Sequence, residues 1–204
     1  MLRPLAVALA ILLPSLPALA ADYSDPTWPC VQRKVENLSP GLMWAFPLDP
    51  TTVTPDKARD ADVAELAGYL GLRRVTLEEL EPRVAAFAQA YNGDTETLGL
   101  VFHDVFDNLS KRRSRIISGI EDFSLSQIAL AEKIDGNRLA MDAEMAKDAP
   151  NFDVIDALEE TIDWDQIIYT DRQRNITYLC ETPTLLERRL FGIAQMLQRV
   201  AVVD

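Results

Sequence analysis

The sequence is poor in the residues that most enzymes and metal sites need. It has one histidine, His103, and two cysteines, Cys30 and Cys180. No C-x-x-C occurs, which removes the dithiol exchange motif of thioredoxin-like proteins. Two cysteines and one histidine are also too few for an ordinary zinc site. The chain lacks a G-x-S-x-G nucleophile elbow, a phosphate loop, a dinucleotide fingerprint and a calcium loop. No catalytic, metal or cofactor assignment therefore follows from motifs. Positive charge is scarce as well: 20 basic face 32 acidic side chains, a formal charge of −12. That balance repels nucleic acid and anionic lipid, so neither is an expected partner. Beyond residue 20 no stretch is long and apolar enough to span a bilayer.

The chain does have an export signature. `MLRPLAVALAILLPSLPALA` opens with Arg3, continues with a mostly apolar run, and ends with Ala18, Leu19 and Ala20 as an A-x-A cleavage site. This is the pattern of a secretory signal peptide over residues 1–20. An uncleaved anchor is the alternative, but the run is short for a span and contains late prolines. The expected location is the periplasm. In an oxidising space two cysteines favour a disulfide. Cys30 and Cys180 would close a loop of about 150 residues. Residues 21–55 read as an irregular segment packed on the body, and 56–204 as one helical domain.

Helical periodicity dominates that domain. Thr54 and Pro55 read as a cap and first turn, followed by Val63, Leu66 and Leu70. Thr76 and Glu79 form a capping-box pattern ahead of Val84, Phe87 and Tyr91. `NGD` at 92–94 predicts a turn. Leu98, Val101, Phe102, Val105 and Leu109 make the clearest apolar face, which Ile116, Ile117 and Ile120 extend. Ser124 and Gln127 suggest another helix start, with a break expected near Pro150. Asp153 reads as a further cap. The stretch from Asp163 to Cys180 predicts a helix broken near Thr170, or a short hairpin. Thr182 and Pro183 then suggest the last helix start. The expected fold is all-α, with about six helices in an irregular or orthogonal bundle and an N-terminal segment clasped by the disulfide.

Few residues carry candidate chemistry. Asp107 lies one turn from His103 and could orient its ring, although a surface histidine is the plainer reading. Glu121 with Asp122, and Glu159 with Glu160, are adjacent carboxylates of the kind a glycan hydrolase needs across a cleft. With so many acids present, such pairs also arise by coincidence. `KRRSR` at 111–115 is the one dense basic cluster. Arg112, Arg113 and Arg115 could grip a carboxylate or phosphate with their fork geometry, or pair with acids on neighbouring helices. Trp44 and Phe46 could line a groove for a ligand or partner, or pack in the core.

At `WPCVQRKV` and `LSPGLMWAFP`, residues 28–47, the chain resembles a group of exported alphaproteobacterial proteins of uncharacterised activity. The resemblance implies a periplasmic protein, with Trp28, Cys30 and Trp44 as structural marks, and brings no catalytic residues. The functional expectation is a non-enzymatic binding or accessory protein for an envelope protein partner, using Arg112, Arg113, Arg115, Trp44 and Phe46. A cell-envelope hydrolase and a small-ligand carrier are the alternatives.

Overall fold

A computed structural model describes residues 25–202; the expected signal peptide lies outside them. The described chain forms a short 3-10 turn at Pro40–Leu42 and four α-helices: α1 (Lys57–Leu70), α2 (Leu77–Ala90), α3 (Thr95–Met145) and α4 (Phe152–Arg199). There are no strands among the described residues.

Local chemistry explains the helix starts. Asp56 caps α1 by accepting from the Ala58 and Arg59 amides. This replaces Thr54 as the expected cap, because the Asp56 carboxylate reaches those two free donors directly. The Thr76–Glu79 capping box forms as expected, and α2 continues past Pro82. Asn92 and Gly93 both adopt positive φ, which turns the chain so that Asp94 can cap α3 through the Thr97 amide. Asn151, not Asp153, caps α4. The stretch from Val31 to Leu38 is irregular, in keeping with the reading of 21–55, and Pro40 and Gly41 begin the 3-10 turn.

Two helices account for most of the chain. At a rise of about 1.5 Å per residue, α3 extends roughly 77 Å and α4 roughly 72 Å. They run antiparallel: Arg113 meets Glu187, Gln127 meets Tyr169, and Lys133 meets Asp165. Residues recur on their facing sides every seven positions, the period of a two-helix coiled coil. On α4 these are Ile155, Ile162, Tyr169, Ile176, Pro183, Leu190 and Leu197, all buried or half-buried. On α3 they include Arg113, Ile120, Gln127, Ile134 and Met141.

The described residues therefore form four α-helices rather than about six. The expected starts at Ser124 and Thr182 lie inside continuous helices. Their polar groups bond elsewhere: the Ser124 hydroxyl donates to the Pro26 carbonyl at 2.8 Å, and Gln127 Nε2 donates to the Tyr169 carbonyl at 3.2 Å. Thr182 donates back to the Tyr178 carbonyl one turn earlier. Pro183 forgoes one backbone bond but fills the seam, so packing keeps the helix running. The same seam carries α4 through Thr170 without a break. The expected break near Pro150 does occur, as the turn between α3 and α4.

The main core lies at one end of this hairpin. There α1 and α2 cover the first turns of α3 and the last turns of α4. Leu70, Leu80, Leu98, Leu109, Leu186 and Leu190 are among its fully enclosed side chains. Trp44 stacks on Phe102 with ring centres 5.3 Å apart, and Phe46 meets its edge at 5.4 Å. Gly99 permits this approach: a Cβ there would lie 3.3 Å from the indole nitrogen. Gln198 ties the same segment to α4 by bonding Met43 and Ala45.

Gly93 is required for a second reason besides its φ of 66°. A Cβ there would lie 2.8 Å from the Val200 carbonyl, and the Gly93 carbonyl accepts from the Val202 amide. Gly93→Ala is expected to lower stability by about 1–3 kcal/mol, measured by urea unfolding. An unchanged unfolding midpoint would contradict that account.

Candidate functional site

A strap of irregular chain crosses the long hairpin where the core end gives way to the rest. The Cys30–Cys180 disulfide fastens it to α4, with Cα atoms 5.4 Å apart. Trp28, Ile117 and Ile120 pack around the bond in a second, smaller apolar cluster. The Trp28 indole donates to the Gln32 carbonyl at 2.7 Å, which folds the strap on itself. Lys34 pairs with Glu121 on α3. These contacts explain the paired tryptophan and cysteine near the start of the described chain: one fills the cluster and the other locks it.

The basic cluster divides between inside and outside. Arg113 is 2 % exposed. Its guanidinium holds Glu187 at 2.7 Å and the Glu36 carbonyl at 3.2 Å, joining α3, α4 and the strap. Arg112 and Arg115 are exposed on the other side of the turn. Arg189 is also engaged internally, donating to the carbonyls of Leu70 and Val75 and closing the C-terminal end of α1. Burial pushes its pKa down, and the nearby Arg73 charge acts in the same direction. Trp44 is buried in the main core and Phe46 half-buried against it, so their stacking is a packing role.

The candidate acid–base groups are dispersed. His103 lies 3.6 Å from Asp104, while Asp107 pairs instead with Lys111 at 2.6 Å. The His103–Asp107 pairing that the spacing allowed is not made; His103 lies at the surface, in keeping with the plainer reading, and Asp107 forms an ordinary ion pair one turn along the helix. Glu121 is engaged by Lys34, and Asp122 beside it is exposed. Glu159 and Glu160 both lie on the open surface of α4. Among the described residues, no three His, Cys, Asp or Glu side chains gather as a metal site. No described helix is long and apolar enough to cross a membrane.

The feature that sequence reasoning missed is the arm beyond the strap, residues 127–170. Between those positions, the buried apolar side chains among the described residues are Ile134, Ile155 and Ile162. Gln127 and Asp165 occupy other enclosed places in the seam. Such a narrow apolar contact leaves much of each helix open. Leu139, Phe152, Trp164, Ile167 and Ile168 are all exposed, with Trp164 at 60 %. Of these, Trp164, Ile167 and Ile168 are spaced three and four residues apart, share one face of α4, and make the kind of exposed apolar patch that marks an interaction site. The arm also holds eleven acidic and three basic residues, a formal −8. The seven-residue spacing from Ile155 to Leu197 is the signal that could have revealed the continuous helix. Thr170 and Pro183 mask that spacing, because both residue types can also interrupt a helix.

At the tip of the arm Glu144 organises the turn. It accepts from the Asn151 amide at 3.1 Å and pairs with Lys147. The Lys147 hydrogen bond, followed by the Asn151 amide, holds its pKa below the ordinary 4.5. Its contribution is complete above that ordinary value and is lost as pH falls through the depressed one. Protection of the amides in the 146–151 turn, taken relative to their intrinsic exchange rates at each pH, is therefore expected to fall below about pH 4.5 in the native chain. Glu144→Gln should weaken this pH dependence; an identical profile in both proteins would contradict the assignment.

No family model matches this sequence, and no curated protein or solved structure matches it either.

Proposed function

We propose that this chain is an exported, non-enzymatic binding or accessory protein whose two-helix arm engages a protein partner in the cell envelope. The observation that carries this reading is the set of exposed apolar side chains within residues 127–170, including the Trp164, Ile167 and Ile168 face of α4. Burying such surface against a partner removes it from water, the dominant favourable term in most protein association. The disulfide-fastened strap supports the reading by securing the base from which the arm extends. A disulfide and the lack of an apolar spanning helix among the described residues are compatible with an exported protein.

The arm replaces the arginine cluster as the favoured contact surface, because Arg113 is enclosed in its pair with Glu187. The hydrolase reading is weaker: Glu159 and Glu160 share one open helix, and Glu121 is held by Lys34. Retaining or inverting chemistry needs carboxyl groups across a substrate cleft. The carrier reading loses its candidate groove where Trp44 packs against Phe102.

A photo-crosslinking residue placed at 164, and separately at Leu139, tests the proposal in native envelopes. Both positions are expected to capture a discrete protein, whereas the same probe at the exposed Arg112 should not. Absence of crosslinks from both arm positions, with the folded protein present, would remove the arm as the contact surface.

A further inference from the structure

We infer that the outer face of α4 around Trp164 docks a cationic amphipathic helix of the partner. This inference rests on the binding role proposed above and specifies the chemistry of the recognised surface.

Asp156, Glu159, Glu160 and Asp163 line a shallow depression with Trp164 and Ile167. The apolar pair forms a ridge one helical turn long, and the carboxylates border it. No basic residue occurs from Asp148 to Asp171. The arm's three cations are already engaged elsewhere: Lys133 with Asp165, Arg138 with Asp135, and Lys147 with Glu144. Among the described residues, no ion pair reaches the four carboxylates of the depression. The face therefore combines apolar area with negative charge that no cation among the described residues pairs with.

A helix with apolar residues along one stripe and Lys or Arg along its margins complements both features. Its stripe covers Trp164 and Ile167, as in helix-in-groove recognition. Its cations approach the carboxylates, and one can lie over the indole ring in a cation–π contact. A second copy of this chain is the poorer occupant, because pairing two such faces brings like charges together. An anionic membrane surface is opposed by the same charge.

Trp164 supplies the readout. The other tryptophans, Trp28 and Trp44, are buried, so the exposed indole is the one whose emission should respond to docking. The oxidised mature chain is titrated with an amphipathic Leu/Lys peptide, its Leu/Glu counterpart, and a Leu/Lys peptide of scrambled order. Saturable blue-shifted emission is expected with the first peptide alone, with affinity falling as salt is raised. Neutralising the depression by D156N, E159Q, E160Q and D163N together should weaken binding by at least about tenfold. Equal binding by the Leu/Glu peptide would overturn the inference, as would unchanged affinity in the folded quadruple variant. Self-association through this face, seen by sedimentation without peptide and abolished by Trp164→Ala, would also overturn it in favour of a second copy. Envelope crosslinks at 164 combined with failure of the Leu/Lys peptide would reject the cationic helix while leaving the binding role intact. Failure of both would reject the binding role too.

Discussion

Opening the Cys30–Cys180 bond should lower the unfolding free energy by roughly 5 kcal/mol in the chain-entropy limit, because it releases a loop of 150 residues. The folded-state consequence is local. Trp28 and Cys30 leave the cluster formed with Ile117, Ile120 and Cys180, uncovering one side of α3 and α4. The Ser124 bond to Pro26 and the Lys34 pair with Glu121 lose the anchor that holds their partners near. Urea unfolding with and without reductant measures the total effect, and hydrogen exchange locates it. A large drop in midpoint, with early exchange around Ile117 and Ile120, is expected. An unchanged midpoint would mean that the remaining strap contacts suffice and that the covalent link is energetically idle.

The second large effect separates the core end from the arm. Leu190 is fully buried among α1, α2 and α3 residues, so Leu190→Ala should cost about 2–5 kcal/mol through lost burial and a residual cavity. Ile162 occupies an equivalent seam position, but in the two-helix arm. Water can reach the gap left by Ile162→Ala, and the helices can separate locally without opening the main core. The arm variant should therefore shift the global midpoint less while accelerating amide exchange from about 127 to 170. Equal global losses for the two substitutions would show that the arm and core unfold as one cooperative unit. This distinction bears on function: a surface used for docking can adapt locally while its base stays folded.

Several elements were legible because their causes are local. The Thr76–Glu79 box needs only neighbouring residues, and it forms as read. The turn at Asn92 and Gly93 likewise follows from backbone preferences. Ser124, Gln127, Thr182 and Pro183 misled because the same groups that start helices can also be used inside them. Ser124 and Gln127 bond across elements, and Thr182 bonds back along its own helix. Trp44 and Arg113 were recognisable as special residues, but their chemistry alone could not reveal whether solvent or a neighbouring helix received them. Trp164 passed unnoticed because its exposure depends on the lack of a covering layer there, which is a property of the assembled helices.

The sequence by itself determined a helical chain rich in acid, with a single possible cysteine pairing, since periodicity, charge and cysteine number are properties of the residue order. The tertiary structure alone decided that two helices run on as an arm, that Arg113 turns inward, and that Trp164 stays uncovered. Burial is set by which surfaces meet, and the strap, α1 and α2 cover one end of the long hairpin while leaving the other open.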